Sequence, residues 1–338
     1  MGIHGGDIYN HPNVLDFSAN CNCYGMPERV REAAIRGVQS AASYPDSEWR
    51  ALREAIADYE GVEKSQIVCG NGASELLLAL AMALQPKRAF LTAPCFLEYE
   101  RVLKLVGAQI EWQSGEDFLE RLQVTDAELV ILSNPNNPTG ELLMPQTVRQ
   151  MVDIVEARGM DLVVDECFLD FLEDAEDYSC KKYLETSPHL LVLKAFTKTF
   201  ACAGLRIGYL LSANTDALCN CKKYLPEWNV SLPATYAGIA ATKEREWLRE
   251  TSQNIRLERE WLRGKLEALG FQVCSGAANF LFFTGKAGLY EHCLAHGILI
   301  RDCSNYHGLG AGTYRVCVKK RAENEKLLAA IQSWSECC

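Results

Sequence analysis

From Gln66 onward the chain alternates short, uninterrupted apolar runs with segments of helical spacing. The runs are Ile67-Val-Cys, Ala89-Phe-Leu-Thr, Leu129-Val-Ile-Leu, Leu162-Val-Val, Leu190–Leu193 and Ile207–Leu211. Apolar positions spaced for helices cover Ser74–Leu84, Leu97–Val106 and Pro145–Arg158 between them. A run that is apolar at every position marks a strand buried on both faces, so these runs predict an α/β fold with a mostly parallel central sheet.

The flanks read differently. Residues 1–26 are rich in Gly, Asn and His and lack periodicity, with one short apolar element at Val14-Leu15. A helix is expected at about Pro27–Ser40, and a second on Trp49, Leu52, Ile56 and Tyr59, capped by Asp46 or Ser47. After Asn229 comes a long charged helix, about Lys243–Leu269. Strand-like Phe271–Cys274, Asn279–Phe283, Leu299-Ile300 and Tyr314–Val318, with helices Leu289–His296 and Glu323–Trp334, complete a smaller α+β unit. The expected division is an arm and part of a small domain over 1–40, a large ligand-binding domain over 41–228 and the small domain over 229–338.

Composition narrows the function classes. A chain of 338 residues with net charge −10 is poorly suited to nucleic acid or an anionic membrane as main partner. No apolar run approaches the ~20 residues of a membrane span, and the start lacks a basic region followed by an apolar core, so a cytoplasmic protein is expected. The 15 cysteines are scattered, and the close pairs (Cys21/Cys23, Cys219/Cys221, Cys337-Cys338) lack the C-x2-C spacing of structural zinc. Reduced thiols and no metal site are expected.

Ligands of open α/β sheets sit beyond the carboxyl ends of the strands. Gly70-Asn-Gly-Ala-Ser-Glu75 opens a helix and could present backbone N–H groups to an anion, although glycine there is often only a turn. Phe96, after Ala93-Pro-Cys, could cover a planar ring or simply pack in the core. In Ser133-Asn-Pro-Asn-Asn-Pro-Thr-Gly140 the amide of Asn137 is placed to donate to a phenolate oxygen. Asp165, at the end of a buried run, needs a cation, which could be a pyridinium N–H or an arginine. Lys198 and Arg206 close the series across a small-residue turn, an amine able to form a Schiff base beside a phosphate grip. Together the last pair suggests pyridoxal 5′-phosphate.

In this order the strand ends resemble those of fold-type I pyridoxal-phosphate enzymes of the aspartate-aminotransferase superfamily, over nearly the whole chain. The resemblance implies an aspartate-aminotransferase-like fold and a homodimer with active sites at the subunit interface. It implies Lys198 as Schiff-base lysine and proton carrier, Asp165 at the ring nitrogen, Asn137 at the 3′-oxygen and Phe96 on the ring. Gly72, Ala73, Ser74, Thr197 and Arg206 would hold the phosphate, with Tyr44 reaching it from the other subunit. Phe168 stands where many members carry tyrosine, and Ala195 where a hydroxyl is common.

The substrate side narrows the branch. Arg315 matches the arginine that grips the α-carboxylate, and Arg301 resembles a second anion-binding arginine. His4-Gly-Gly-Asp, Leu15-Asp-Phe-Ser-Ala-Asn20, Phe196-Thr-Lys and Arg301-Asp-Cys-Ser-Asn-Tyr resemble threonine-phosphate decarboxylases of the cobalamin pathway, a branch that also tends to carry phenylalanine at the place of Phe168. That resemblance implies decarboxylation of L-threonine O-3-phosphate, with His4 and Asn20 helping Arg301 hold the substrate phosphate. Histidinol-phosphate aminotransferases share nearly every cofactor residue and remain the alternative. A pyridoxal-binding regulator would need a DNA-binding module, for which the chain has neither spare length nor a basic helix pair.

Overall fold

The computed structural model describes residues 4–115 and 117–337. Met1–Ile3, Glu116 and Cys338 lie outside the described residues, and with them the pairing of the terminal cysteines.

The chain runs β1 (Leu15–Asp16), α1 (Glu28–Gln39), α2 (Arg50–Glu60), β2 (Ile67–Gly70), α3 (Ala73–Leu84), β3 (Arg88–Thr92), α4 (Leu97–Leu105), β4 (Gln109–Gln113) and α5 (Phe118–Leu122). It continues through β5 (Leu129–Ser133), α6 (Pro145–Arg158), β6 (Asp161–Asp165), α7 (Ala175–Tyr178), β7 (Leu190–Ala195), α8 (Phe196–Thr199), β8 (Gly208–Leu211), α9 (Thr215–Lys222), α10 (Leu232–Ala241) and α11 (Arg245–Ala268). The remainder is β9 (Gln272–Val273), β10 (Phe280–Thr284), α12 (Leu289–Ala295), β11 (Ile298–Leu299), β12 (Arg301–Asp302), β13 (Thr313–Cys317) and α13 (Arg321–Cys337).

The apolar runs form a seven-stranded sheet in the order β2-β8-β7-β6-β5-β3-β4. Strand β8 is antiparallel to both its neighbours, and the other pairings are parallel. This is the α/β architecture with a mostly parallel sheet that the unbroken runs imply. The edge strand β4 escapes such a reading because its sequence, Gln-Ile-Glu-Trp-Gln, is half exposed and interrupted by polar residues.

Helix α10 also lacks a sequence signal, since Leu-Pro-Ala-Thr-Tyr-Ala-Gly-Ile-Ala-Ala offers small residues and no clear stripe. Its packing explains the composition. A Cβ on Gly37 of α1 would lie 2.6 Å from the backbone of Leu232 and Pro233, and one on Gly238 would lie 2.7 Å from Leu52 Cδ1. Two helices meet almost backbone to backbone, which only small residues permit.

Sheet β12-β13-β10-β9, antiparallel throughout, carries the second core with α12 and α13. Ala234, Ala237, Ala241 and Leu248 belong to the large core, whereas Ile255, Leu262 and Leu266 belong to the small one. The cores thus change over along α11, and we propose to draw the domain division there rather than at residue 228. Val30 and Ala34 of α1 likewise pack into the large core, while Phe17 packs into the small one.

Strand β1 pairs in parallel with β11, matching Leu15 with Ile298 and Asp16 with Leu299. Cys317 N then donates to Phe17 O at 2.7 Å. These bonds seat the amino-terminal arm on the small domain, above the carboxyl ends of the large sheet. The thirteen cysteines from Cys21 to Cys317 are free thiols, and the described residues contain no group of three His, Cys, Asp or Glu able to hold a metal ion. No helix among them is long and apolar enough to cross a membrane.

Candidate active site

The turn after β2 places Gly72, with φ +81°, as the residue capping α3. No side chain caps this end, so the first N–H groups of a 12-residue helix, from Ala73 and Ser74, are open to an anion. Gly208 of β8 makes the turn possible: a Cβ there would lie 2.7 Å from Ala73 N. Arg206 closes the cradle. Its guanidinium lies where a Cβ on Gly72 would approach Nη2 to 2.4 Å. The Arg206 backbone is left-handed, at φ +61°, a strain of order 1 kcal/mol that this site retains.

Strand β7 ends at Ala195, and α8 carries Thr197, buried, and Lys198, half-buried, into the same space. The arm braces this short helix. Asn22 N donates to Lys198 O at 2.9 Å, and the Asn22 side chain donates to Thr199 O at 3.1 Å and to Thr251 Oγ1 at 3.0 Å.

Asp165 ends β6, next to β7. Its oxygens are taken by neutral donors, the Tyr99 hydroxyl at 2.7 Å and Cys167 N–H at 3.0 Å. Burial pushes its carboxyl above the usual range, partly offset by Cys167, Tyr99 and the charge on Lys198. A carboxylate so buried and so partnered suits a cationic ring N–H. Asn137, after β5, turns its Oδ1 to Arg315 Nη1. Ser133 Oγ accepts from the Asn137 N–H at 3.2 Å and fixes the loop.

From the small domain, Arg315 of β13 is buried over the face of Phe280, 5.3 Å from the ring centroid, and donates through Nη2 to Ser18 O at 2.9 Å. Its Nε has no partner. Asn20 is 2% exposed, and neither its Oδ1 nor its Nδ2 has a partner. Unsatisfied buried amide atoms on a cavity wall call for a ligand.

One cavity of about 300 Å³ is lined by Ala73, Ser74, Phe96, Asn137, Asp165, Thr197, Lys198, Arg206, Arg315, Asn20 and His4, thus joining eleven of the residues picked out in the sequence. Gly72 lies just behind, under Arg206. Arg301 is not on this wall. It is buried with its guanidinium bonded to Asp302 O at 2.6 Å and Asn305 Oδ1 at 2.7 Å, and it lines an adjoining cavity that shares His4 and Ser18 with the first. Tyr44 is 77% exposed and stacks on Trp228, with centroids 4.4 Å apart, away from the cavity of its own chain.

The wall also contains Glu98, Tyr99, Ser133, Tyr306 and Ser18, which the sequence did not single out. Tyr99 and Glu98 sit in a helix whose periodicity reads as core packing. The string Phe96-Leu-Glu-Tyr offers no signal until the fold shows which side faces Asp165.

The residues present fit pyridoxal phosphate: a cradle for a dianion, a buried carboxylate for a ring nitrogen, an aromatic face and a lysine between them. The class I and II aminotransferase family matches residues 12–331. A threonine-phosphate decarboxylase from Salmonella typhimurium is 33% identical over 98% of this chain and 96% of its own length. A histidinol-phosphate aminotransferase from Archaeoglobus fulgidus is 32% identical, over 94% and 92%. The crystal structure of histidinol-phosphate aminotransferase from Clostridium acetobutylicum superposes with a TM-score of 0.90 at 28% identity, covering 96% of this chain and all of that one. The chain therefore belongs to the class I and II aminotransferase family of pyridoxal phosphate-dependent enzymes.

Proposed function

We propose that the protein decarboxylates L-threonine O-3-phosphate to (R)-1-aminopropan-2-yl phosphate and CO2, a step of cobalamin side-chain synthesis, as a cytoplasmic homodimer. The observation that carries this reading is the grouping of Arg315, the unpartnered amide of Asn20 and His4 on one wall, with Arg301 in the adjoining cavity. A substrate with an α-carboxylate and a phosphate uses both anion grips. The near-complete coverage of the Salmonella relative supports the same reading.

Bound pyridoxal phosphate supplies the electron sink for the pair released when the Cα–carboxylate bond breaks. The chain's own residues do the rest. Arg206, Gly72, Ala73, Ser74 and Thr197 would hold the cofactor phosphate, Phe96 would cover the ring, and Asn137 would donate to its 3′-oxygen. Asp165 would accept from the ring N–H and so favour its protonated form. Arg315 orients the carboxylate that leaves as CO2, and Arg301, His4 and Asn20 hold the substrate phosphate. Lys198 would hold the cofactor through its amine and, once released by substrate, would deliver the proton that replaces the carboxylate at Cα. Tyr44 reaches the cofactor phosphate of the other subunit, which accounts for an exposed tyrosine stacked on an exposed tryptophan.

The Archaeoglobus relative, at nearly the same identity, favours a second reading, transamination of histidinol phosphate. A paired assay separates them. Release of CO2 from threonine phosphate without 2-oxoglutarate is expected, whereas glutamate formed from histidinol phosphate and 2-oxoglutarate would establish the aminotransferase.

A further inference from the structure

A carboxylate on the wall of an anion-binding cavity is an apparent contradiction. Glu98, in the first turn of α4, is only 8% exposed and lines the same cavity as Lys198, Arg206 and Arg315. Its two oxygens are divided between two elements. Oε2 accepts from Nε and Nη2 of Arg101, each at 2.8 Å. Oε1 faces the amino-terminal arm, 3.5 Å from His4 Nε2. The contact to His4 together with Arg101 outweighs burial and holds the Glu98 carboxyl below the usual carboxylate range, so it is ionised at neutral pH.

The arm is registered from its other side as well. Gly6 N donates to Ser18 Oγ at 2.7 Å, and Gly5 lies so flat on Ser18 that a Cβ there would be 2.2 Å from the Ser18 carbonyl oxygen. That carbonyl accepts from Arg315 Nη2. His4 thus stands at the end of a chain of contacts starting on Arg315, edge-on to Phe96 at 6.4 Å, where the main cavity and the Arg301 cavity meet. With Nε2 turned to Glu98, Nδ1 is the ring nitrogen left for a ligand.

We propose that Glu98 is a positioning residue for the substrate's distal anion: by accepting from Nε2–H it orients His4 in its doubly protonated form, so that the second proton, on Nδ1, points to an anion at the junction of the two cavities. This rests on the reading above of a phosphate-bearing substrate. Arg101 neutralises the carboxylate from behind, so the group acts as an orienting acceptor and not as a repulsive charge.

The test is a double-mutant cycle on the pyridoxal-loaded enzyme with Glu98→Gln, His4→Gln and the pair. The readouts are calorimetric affinity for inorganic phosphate, KM and kcat for threonine phosphate, and melting temperature. Glu98→Gln is expected to weaken phosphate binding and raise KM about tenfold, with kcat within about twofold and the melting temperature unchanged. In the pair the loss should equal that of His4→Gln alone. Additive losses, or tighter phosphate binding on removal of the carboxylate, would overturn the proposal. Glu98→Asp keeps the charge but withdraws it from His4, and serves the same cycle if Glu98→Gln does not fold. Absence of threonine-phosphate turnover with a non-additive phosphate cycle would sink the decarboxylase reading and leave Glu98 in its role. Turnover with an additive cycle would do the reverse.

Discussion

Asn137 Oδ1 accepts a hydrogen bond from Nη1 of Arg315, joining the loop after β5 of the large domain to β13 of the small one. The two residues lie 178 positions apart. The bond uses the carbonyl end of the amide and leaves its NH2 to the cavity, so under the proposed function one side chain would serve both the cofactor oxygen and the carboxylate grip.

Asn137→Ala should therefore affect substrate binding as well as cofactor binding. Arg315 already has an unpartnered Nε, and losing its Nη1 acceptor leaves Ser18 O to orient a buried guanidinium alone. A charged hydrogen bond contributes about 1.5–3 kcal/mol, so kcat/KM for threonine phosphate is expected to fall about 10- to 150-fold. Arg315→Lys should do no better, because an ammonium keeps the charge but lacks the fork. Steady-state kinetics on the two variants check this, and a loss confined to cofactor affinity would argue against the link.

Much of this site can be read in the sequence because its chemistry sits at the ends of strands that announce themselves. Lys198, Asp165 and Asn137 each follow a run of three or more buried residues, and Gly72 and Arg206 flank the turns. What sequence does not show is which distant segments meet. Arg301 looks equivalent to Arg315, yet the two lie side by side on β12 and β13 with Arg301 directed into the next cavity. Glu98 and Tyr99 carry no motif, and their roles arise only when α4 sets one beside His4 and the other beside Asp165. The helix α10, built of small residues, is invisible for a related reason. Its identity lies in what it fits against, not in a periodic stripe.

Gly72→Ala tests the cradle. The new methyl meets Arg206 Nη2 at 2.4 Å, which the side chain can relieve only by withdrawing from the anion position. The backbone at φ +81° adds about 1 kcal/mol of strain. Affinity for pyridoxal phosphate, followed by visible absorbance on titrating the apoprotein, should fall at least about tenfold. Gly107→Ala is the control: it has φ +78° and open space around it, so it should show the strain without the loss of cofactor.

Lys194, four residues before Lys198 in the chain, sits in a buried charge group. Lys194 Nζ is 2.9 Å from Asp170 Oδ1 and 2.9 Å from Glu60 Oε1, and Glu60 also receives Lys181 at 3.0 Å and the Tyr209 hydroxyl at 2.5 Å. Burial pushes the Glu60 carboxyl up, but Lys194, Lys181 and Tyr209 together overrule it and hold it down at about 2. At Asp170 burial prevails and the carboxyl stays above its usual range. Lys194→Met leaves Asp170 without its cation, and Glu60 with only Lys181 and the Tyr209 hydroxyl, and should destabilise the protein by about 3–5 kcal/mol. Adding Asp170→Asn should recover part of that loss. Urea unfolding of the single and double variants measures both, and equal stability of Lys194→Met and wild type would show that the group contributes nothing.

Glu166, adjacent to Asp165, makes stability depend on pH in a predictable direction. Burial pushes its carboxyl up to about 7, against the pull of Lys194, the Cys180 N–H and the Ser179 hydroxyl, the latter two bonded at 2.6 and 2.7 Å. The folded protein therefore holds this proton more tightly than the unfolded chain, whose glutamate titrates near 4.5. That contribution is fully present below pH 4.5 and disappears as the pH rises through 7. A separation of about two and a half pH units corresponds to about 3 kcal/mol. Glu166→Gln stays neutral throughout, so its stability relative to wild type should rise by about 3 kcal/mol between acid and alkaline conditions, with most of the change between pH 5 and 8. Urea unfolding of both proteins at pH 5, 6.5 and 8 reads the difference directly and cancels the other titrating groups. A flat difference would mean that Glu166 keeps its charge through the hydrogen bonds from Ser179 and Cys180.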